Sequence, residues 1–195
     1  MVDRRIAVVG TTGSGKTRLA CQISAQLAIP HIELDALNWE PSWKEAPPDV
    51  FGERVRLASH GDAWVIDGNY GKVRDIIWSR AQAIVWLDYP LPLVLWRLIR
   101  RSVYRIVTRE VLWSGNRENW EALLGRDSLI LWAINTQPKH RRDYPLLLKR
   151  SEYAHLSLTR LHSPRETDEW LRSICGELSR KPDTSTSGSR DDLQQ

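Results

Sequence analysis

Two apolar rhythms alternate along the chain. Short continuous runs occur at Arg5–Val9, His31–Asp35, Ala63–Ile66, Ala83–Leu87 and Ala154–Leu158. Runs of this length, bounded by turn residues, predict strands, and the unbroken ones predict strands buried on both faces. Between them apolar residues recur at helical spacing, as Leu19, Ile23 and Leu27 do within Arg18–Ala28. Further helices are predicted at about 49–59, 72–80, 90–109, 127–134 and 141–150. Ser163-Pro164-Arg165-Glu166 opens a last helix, with a capping serine, proline in the first turn and an acid close behind. Strand, helix, strand, helix predicts an α/β fold, a parallel sheet covered on both faces. Ligands of such sheets sit at the carboxyl ends of the strands. Gly10, Asp35, Asp67 and Asp88 all fall at predicted strand ends.

The breaks in the rhythm set the organisation. Ala36 to Pro48, with Trp39, Pro41, Trp43 and a Pro-Pro pair, reads as a loop rather than a regular helix. Gly61-Asp62 and Asn69-Tyr70-Gly71 read as turns. Gly115, Asn116 and Gly125 mark a polar, aromatic-containing insert, a lid at about 109–127. Beyond Arg180 the chain is rich in Ser, Thr, Asp and Gln and is expected to be disordered, leaving one domain over 1–179 and a tail over 180–195.

Composition narrows the class. A chain of 195 residues, 42% hydrophobic, has enough apolar surface for one sizeable core. Cys21 and Cys175 stand far apart without metal-ligand or C-x-x-C spacing, so they read as buried thiols in a reducing compartment. The N-terminus enters the first strand almost at once, which predicts no signal peptide. The longest apolar stretch, Ala83 to Ile99, is interrupted by Asp88, Pro90, Pro92 and Arg97, which argues against a membrane span. A cytoplasmic protein with no membrane partner is the expectation. The charge is uneven: Leu95 to Glu152 carries twelve Lys and Arg against six Asp and Glu, so this block holds the whole surplus of a chain with net charge +4.

One stretch carries specific chemistry. Residues 10 to 17, Gly-Thr-Thr-Gly-Ser-Gly-Lys-Thr, fit G-x-x-x-x-G-K-[ST], with a strand ahead and a helix behind. A strand turning through glycines into a helix aims several backbone N–H groups at one point, where the helix dipole is also positive. Gly10, Gly13, Ser14 and Gly15 form this phosphate cradle, Lys16 reaches the β- and γ-phosphates, and Thr17 offers its hydroxyl to Mg²⁺. Mg²⁺ needs a further hard oxygen, and Asp67 is the candidate. Asp35, at the mouth of the Trp/Pro loop, reads either as the group that binds or deprotonates an acceptor hydroxyl or as a structural cap. Asp88 reads as a helix-initiating residue. Arg97 and Arg101 share a helix face, and Arg100, Arg105, Arg109, Arg141 and Arg142 extend the basic cluster; two or three of these are expected on phosphate. Trp39 and Trp43 read either as a stacking surface for a ring substrate or as packing of the loop on itself.

Taken together these residues resemble the adenylate-kinase-like nucleoside and nucleotide kinases. More closely, Leu34-Asp35-Ala36-Leu37-Asn38-Trp39-Glu40-Pro41-Ser42-Trp43 and Trp64-Val65-Ile66-Asp67-Gly68-Asn69-Tyr70 resemble the bacterial "DNA topology modulation protein" branch of that superfamily. The likeness runs from the first strand to about Arg150. It implies a P-loop NTPase fold with a five-stranded parallel sheet and a helical basic lid, and ATP-dependent phosphoryl transfer. Pro90, Arg97 and Arg101 reproduce the spacing by which that superfamily presents arginines to ATP, and Arg141 falls in the region of its post-lid arginines. Gly68, Asn69 and Arg74 stand where the family approaches its acceptor. Asn69-Tyr70-Gly71-Lys72 and the Trp/Pro segment replace the family's AMP-binding residues, which argues against AMP as acceptor, and zinc-binding lid cysteines are absent.

The expectation is therefore a kinase using Mg²⁺ and ATP, with Lys16, Asp35, Arg97, Arg101 and Arg141 catalytic and a small-molecule acceptor, a nucleotide or nucleoside included. The rival is a nucleotide-binding regulator that contacts nucleic acid through its basic half, although no nucleic-acid-binding motif is recognisable.

Overall fold

A computed structural model describes residues 3–125 and 128–179. The predicted tail, the Arg126-Asp127 helix start and the side chain of Cys175 lie outside the described residues. The strands are β1 (Arg5–Gly10), β2 (His31–Glu33), β3 (Trp39–Glu40), β4 (Lys44–Glu45), β5 (Trp64–Asp67), β6 (Ala83–Leu87) and β7 (Ser157–Leu161). The helices are α1 (Lys16–Leu27), α2 (Leu34–Asn38), α3 (Pro48–Ala58), α4 (Arg74–Trp78), α5 (Leu91–Thr108), α6 (Trp120–Leu124), α7 (Leu129–Leu147) and α8 (Pro164–Ser179). A parallel five-stranded sheet runs β2-β5-β1-β6-β7, and β3-β4 is a separate hairpin.

Because strand side chains alternate, each central strand feeds two cores. Ile6 and Val8, with Val65, Val85 and Leu87, meet Leu19 and Ile23 of α1, Val94 of α5 and Leu171 of α8. Ala7 and Val9, with Trp64, Ile66, Ile84 and Trp86, meet Phe51 and Val55 of α3, Trp78 of α4 and Tyr144 of α7. Trp86, Tyr144, Trp78 and Tyr153 continue this second core through edge-to-face contacts at 5.2–5.9 Å. Both faces of the sheet are thus covered, which is what the unbroken apolar runs of β1, β5 and β6 require.

Several elements differ from the reading of the sequence. The second strand ends at Glu33, and Asp35 lies on α2 instead of at a strand end. The restriction imposed by Pro41 acts only on its own neighbourhood, so one helical turn fits ahead of it. The rest of the Trp/Pro segment is the β3-β4 hairpin, turned over Pro41–Trp43 with Ser42 and Trp43 at φ 62° and 54°. Gly71–Val73 is a 3₁₀ turn leading into a helix shorter than expected. The two helices expected on either side of Thr136 are one, α7, running through Pro138 and Pro145. It is capped by Ser128, whose hydroxyl accepts from the Leu131 N–H at 3.3 Å. Buried Ala133, Gln137 and Tyr144 hold it to the body, and Gln137 donates to the Tyr89 carbonyl at 2.6 Å. The last strand lies three residues later than predicted, pairing Ser157–Leu161 with β6. Cys21 is exposed, not buried. Among the described residues no helix is long and apolar enough to cross a membrane.

Candidate active site

The glycine loop forms at the carboxyl end of β1, the central strand. Gly13 and Gly15 take φ of 83° and 100°, which only glycine adopts without strain. A Cβ on Gly13 would stand 2.8 Å from both the Leu98 Cβ and the Val94 carbonyl, so α5 packs directly against the loop. Ser14 N–H closes the turn on the Thr11 carbonyl at 3.0 Å. Asn69 clamps its start: the Gly10 N–H donates to Asn69 Oδ1 at 3.1 Å, and Asn69 Nδ2 donates to the Gly10 carbonyl. The residue expected on the acceptor is therefore committed to the loop. Gly68, at φ 141°, has its Cα packed on Leu34, where a Cβ would come within 2.7 Å.

Sheet register places Asp67. Asp67 pairs with Val8 of β1 on one side and Glu33 of β2 on the other, which brings its carboxylate beneath the loop. Thr17 Oγ1 donates to Asp67 Oδ2 at 2.7 Å. His31 Nε2 lies 2.8 Å from Asp67 Oδ1, and its Nδ1 lies 3.4 Å from Cys21 Sγ. Burial, with the Asp67 charge second, raises the Glu33 pKa. A hydroxyl and a carboxylate side by side are hard oxygen donors that fit Mg²⁺, with the remaining positions left to phosphate and water. Lys16 Nζ lies 3.4 Å from the Thr11 carbonyl. Burial lowers the pKa of its ammonium, against the pull of Asp67 and Asp35.

A second group of polar side chains lies on α2, on α7 and in the turn after β5. Asp35 Oδ1 accepts from the Tyr70 hydroxyl at 2.5 Å, and burial together with Asp35 raises the tyrosine pKa. A small cavity of about 20 Å³, room for one water, lies among Leu34, Asn69, Tyr70, Arg74, Trp78 and Tyr144. The Arg74 guanidinium lies over the Trp78 ring at 5.4 Å. His140 stacks on Tyr144 at 4.9 Å, and its buried Nδ1 has no partner among the described residues. Burial, then Lys16 and Arg74, push its pKa down to about 4, so it is neutral at ordinary pH.

The segment around Trp113–Gly115 packs on the β3-β4 hairpin. Asn116 accepts from the Trp43 N–H at 3.0 Å and donates to the Glu40 carbonyl at 2.9 Å. Ser114 Oγ donates to the Trp39 carbonyl, Trp43 Nε1 to the Arg117 carbonyl and Trp113 Nε1 to Glu33, at 2.7–3.1 Å. Trp39 and Trp43 meet edge to face at 5.4 Å.

The arginines divide. Arg97 donates to the Ser14 carbonyl at 3.2 Å and lies over the Tyr89 ring at 5.3 Å, against the loop. Arg101 is turned inward, and its Nε has no partner among the described residues. Burial, then Arg105, lower its pKa, while Glu118 and Asp35 oppose them. Arg105 is held by Glu118 at 2.8 Å, and Arg100 lies over the exposed Trp96. Arg141, expected on phosphate, instead donates to buried Asp88 at 2.7 Å, where Arg160 also binds at 2.5 Å. Asp88 is thus an arginine hub and not a helix cap; Pro90 holds the cap position of α5. Arg142 pairs with its neighbour Asp143 on the surface.

Thr17 and Asp67 meet at the loop, Arg97 lies against the Ser14 carbonyl, and Arg101 is near Lys16. His31, Arg160, Trp113 and Asn116 carry no local signal, because each acts through a partner distant in sequence.

No protein-family model and no curated protein sequence matches the chain. Solved structures do. Shikimate kinase from Bacteroides thetaiotaomicron aligns with a TM-score of 0.57 at 16% identity, covering 91% of this chain and 99% of that one. Shikimate kinase from Acinetobacter baumannii, in complex with shikimate, aligns with 0.52 at 17% identity over 92% and 96%. Shikimate kinase from Aquifex aeolicus gives 0.50 at 16% identity over 90% and 96%. At this identity the likeness is one of fold: the α/β P-loop kinase fold, spanning nearly the whole described chain.

Proposed function

We propose that the protein is an ATP-dependent phosphotransferase acting on a small-molecule acceptor, of the "DNA topology modulation protein" branch that its Leu34–Trp43 and Trp64–Tyr70 segments resemble. The observation that carries this reading is the contact of Thr17 with Asp67 beneath a complete phosphate cradle. The loop amides and Lys16 hold the triphosphate, and Thr17 and Asp67 hold the Mg²⁺ that accompanies it. That ion neutralises charge on the phosphate oxygens. Arg97 and Arg101 face the transferring group. The acceptor hydroxyl oxygen forms the new bond to the γ-phosphorus while the bond to the ADP oxygen breaks, and Asp35 takes the hydroxyl proton. Tyr70 orients Asp35, and the cavity bounded by Arg74 and Tyr144 marks the acceptor end.

The solved shikimate kinases support a hydroxyl acceptor by analogy of fold. Release of ADP from Mg·ATP, measured over a panel of nucleosides, nucleoside monophosphates, hydroxy acids and simple polyols, tests the reading. One acceptor that raises release and is recovered as its phosphate ester supports it. No stimulation across the panel, beside steeply salt-dependent binding of DNA, replaces it with the regulatory reading.

A further inference from the structure

Helix α5 is built inside out. Its inward side carries Val94, Leu98 and Ser102 together with Arg97, Arg101 and Arg105, which line the nucleotide side or pair with lid acids. Its opposite side carries Trp96, Ile99, Val103 and Val107 at helical spacing. Trp96 is 57% exposed, Ile99 41% and Val107 70%. Val111, just beyond the helix, is exposed too, as are Trp120 and Leu124 of α6 and Trp132 of α7, the helices packed against α5. An unpartnered apolar stripe of this extent on one helix marks a contact surface.

The charges around the stripe select its occupant. Arg100 and Arg109 are exposed, and the Arg100 guanidinium lies over the Trp96 ring at 5.5 Å. Helix α5 contains no acid. Glu110 and Glu118, the first two carboxylates after the helix, are both engaged with Arg105. Across a twofold contact between copies the stripe would bring arginines toward arginines with no carboxylate on either helix to meet them. Nucleic acid would satisfy the arginines, but its phosphates offer nothing to Trp96, Ile99 and Val107. A surface with anionic groups above an apolar layer satisfies both, with indole and tyrosine rings at the boundary, as Trp96 and Tyr104 would be.

We propose that the outer face of α5 rests in the headgroup region of an anionic lipid bilayer, with Trp96, Ile99, Val103 and Val107 below the headgroups and Arg100 and Arg109 among them. The protein lies on such a surface without crossing it. The inward arginines stay with the nucleotide, so the contact leaves the phosphate cradle open.

The test is co-sedimentation of the full chain with vesicles of phosphatidylcholine alone and of phosphatidylcholine mixed with phosphatidylglycerol. Binding to the mixed vesicles is expected to exceed binding to the neutral ones by roughly tenfold and to fall with added salt. Trp96→Ser with Val107→Asp should abolish it, and Arg100→Gln with Arg109→Gln should remove the preference for the anionic vesicles. Circular dichroism melts confirm that each variant remains folded; if the first does not, Trp96→Ser alone carries the same expectation. Equal binding to both vesicles, or binding that the variants leave unchanged, overturns the proposal. So does a dimer in sedimentation velocity that Val107→Asp dissolves without any vesicle binding, which assigns the face to a second copy. Salt-sensitive binding of duplex DNA without vesicle binding assigns it to nucleic acid.

Discussion

Thr17 Oγ1 and Asp67 Oδ2 lie 2.7 Å apart although fifty residues separate them in sequence. The threonine is placed by the first turn of α1, and the carboxylate by the pairing of Asp67 with Val8. The contact joins the phosphate cradle to the end of a neighbouring strand. An oxygen pair held in advance costs little reorganisation when a cation arrives.

His31 orients the other oxygen of Asp67, at 2.8 Å. Replacing such a partner weakens a metal site without removing it. His31→Ala is expected to raise the Mg²⁺ concentration for half-maximal turnover by roughly 10–100-fold. Asp67→Asn should do so more severely. A magnesium titration of ADP release at saturating ATP reads both, and an unchanged midpoint in Asp67→Asn removes that residue from the metal.

Lys16 is half-buried and its ammonium lies along the loop, 3.4 Å from the Thr11 carbonyl. Lys16→Ala is expected to lower turnover by at least roughly 10²-fold, the scale for losing one preorganised donor on developing charge. Because the ammonium packs little apolar surface, the melting temperature should change slightly. Parent-level turnover in the variant would refute the role.

Asp35, on α2, accepts a hydrogen bond from Tyr70. Asp35→Asn keeps the shape but cannot take a proton. The expected loss in transfer is roughly 10²–10⁴-fold, with the affinity for ATP preserved. Calorimetry with Mg·ATP beside a turnover assay separates the two effects, and intact transfer excludes Asp35 from the chemistry.

His140 links pH to stability. Folding pushes its pKa from 6.5 down to about 4, so the unfolded chain binds a proton that the folded one refuses between those values. The contribution is present in full above pH 6.5 and is lost as pH falls toward 4. It amounts to about 2 kcal/mol once residual solvent contact is allowed for. Urea unfolding at neutral pH and near pH 5 should show a fall in the parent that His140→Gln reduces.

Asn116 fastens the lid to the β3-β4 hairpin with two hydrogen bonds. Asn116→Ala leaves the Trp43 N–H and Glu40 carbonyl to water and is expected to cost about 1–2 kcal/mol locally. Amide exchange at 113–117 should accelerate while the core strands keep their protection. Exchange unchanged at both would show that the remaining lid contacts suffice.

The strands β1, β5 and β6 are legible in the sequence because burial on both faces leaves unbroken apolar runs. Edge strand β7 is half exposed and its pattern is ambiguous, so its register moves by three residues. The helices expected at 127–134 and 141–150 are one helix through Pro138 and Pro145, since each proline removes only one donor and packing through Ala133 and Tyr144 outweighs that loss. Arg141 shows the same limit at the site. The resemblance places it among post-lid arginines that meet phosphate, but the end of β6 places a buried carboxylate within its reach.

The phosphate cradle was determined by the sequence itself. A turn that aims backbone amides at one point is made by consecutive residues, and glycines at 10, 13 and 15 are enough to declare it. The grouping around Asp35 was decided only by tertiary structure. Asp35, Tyr70, Arg101 and His140 come from four separate segments, and the sheet register and the docking of α5 and α7 bring them together. Which side chains converge depends on those long-range contacts, as do the burial and neighbouring charges that keep His140 neutral.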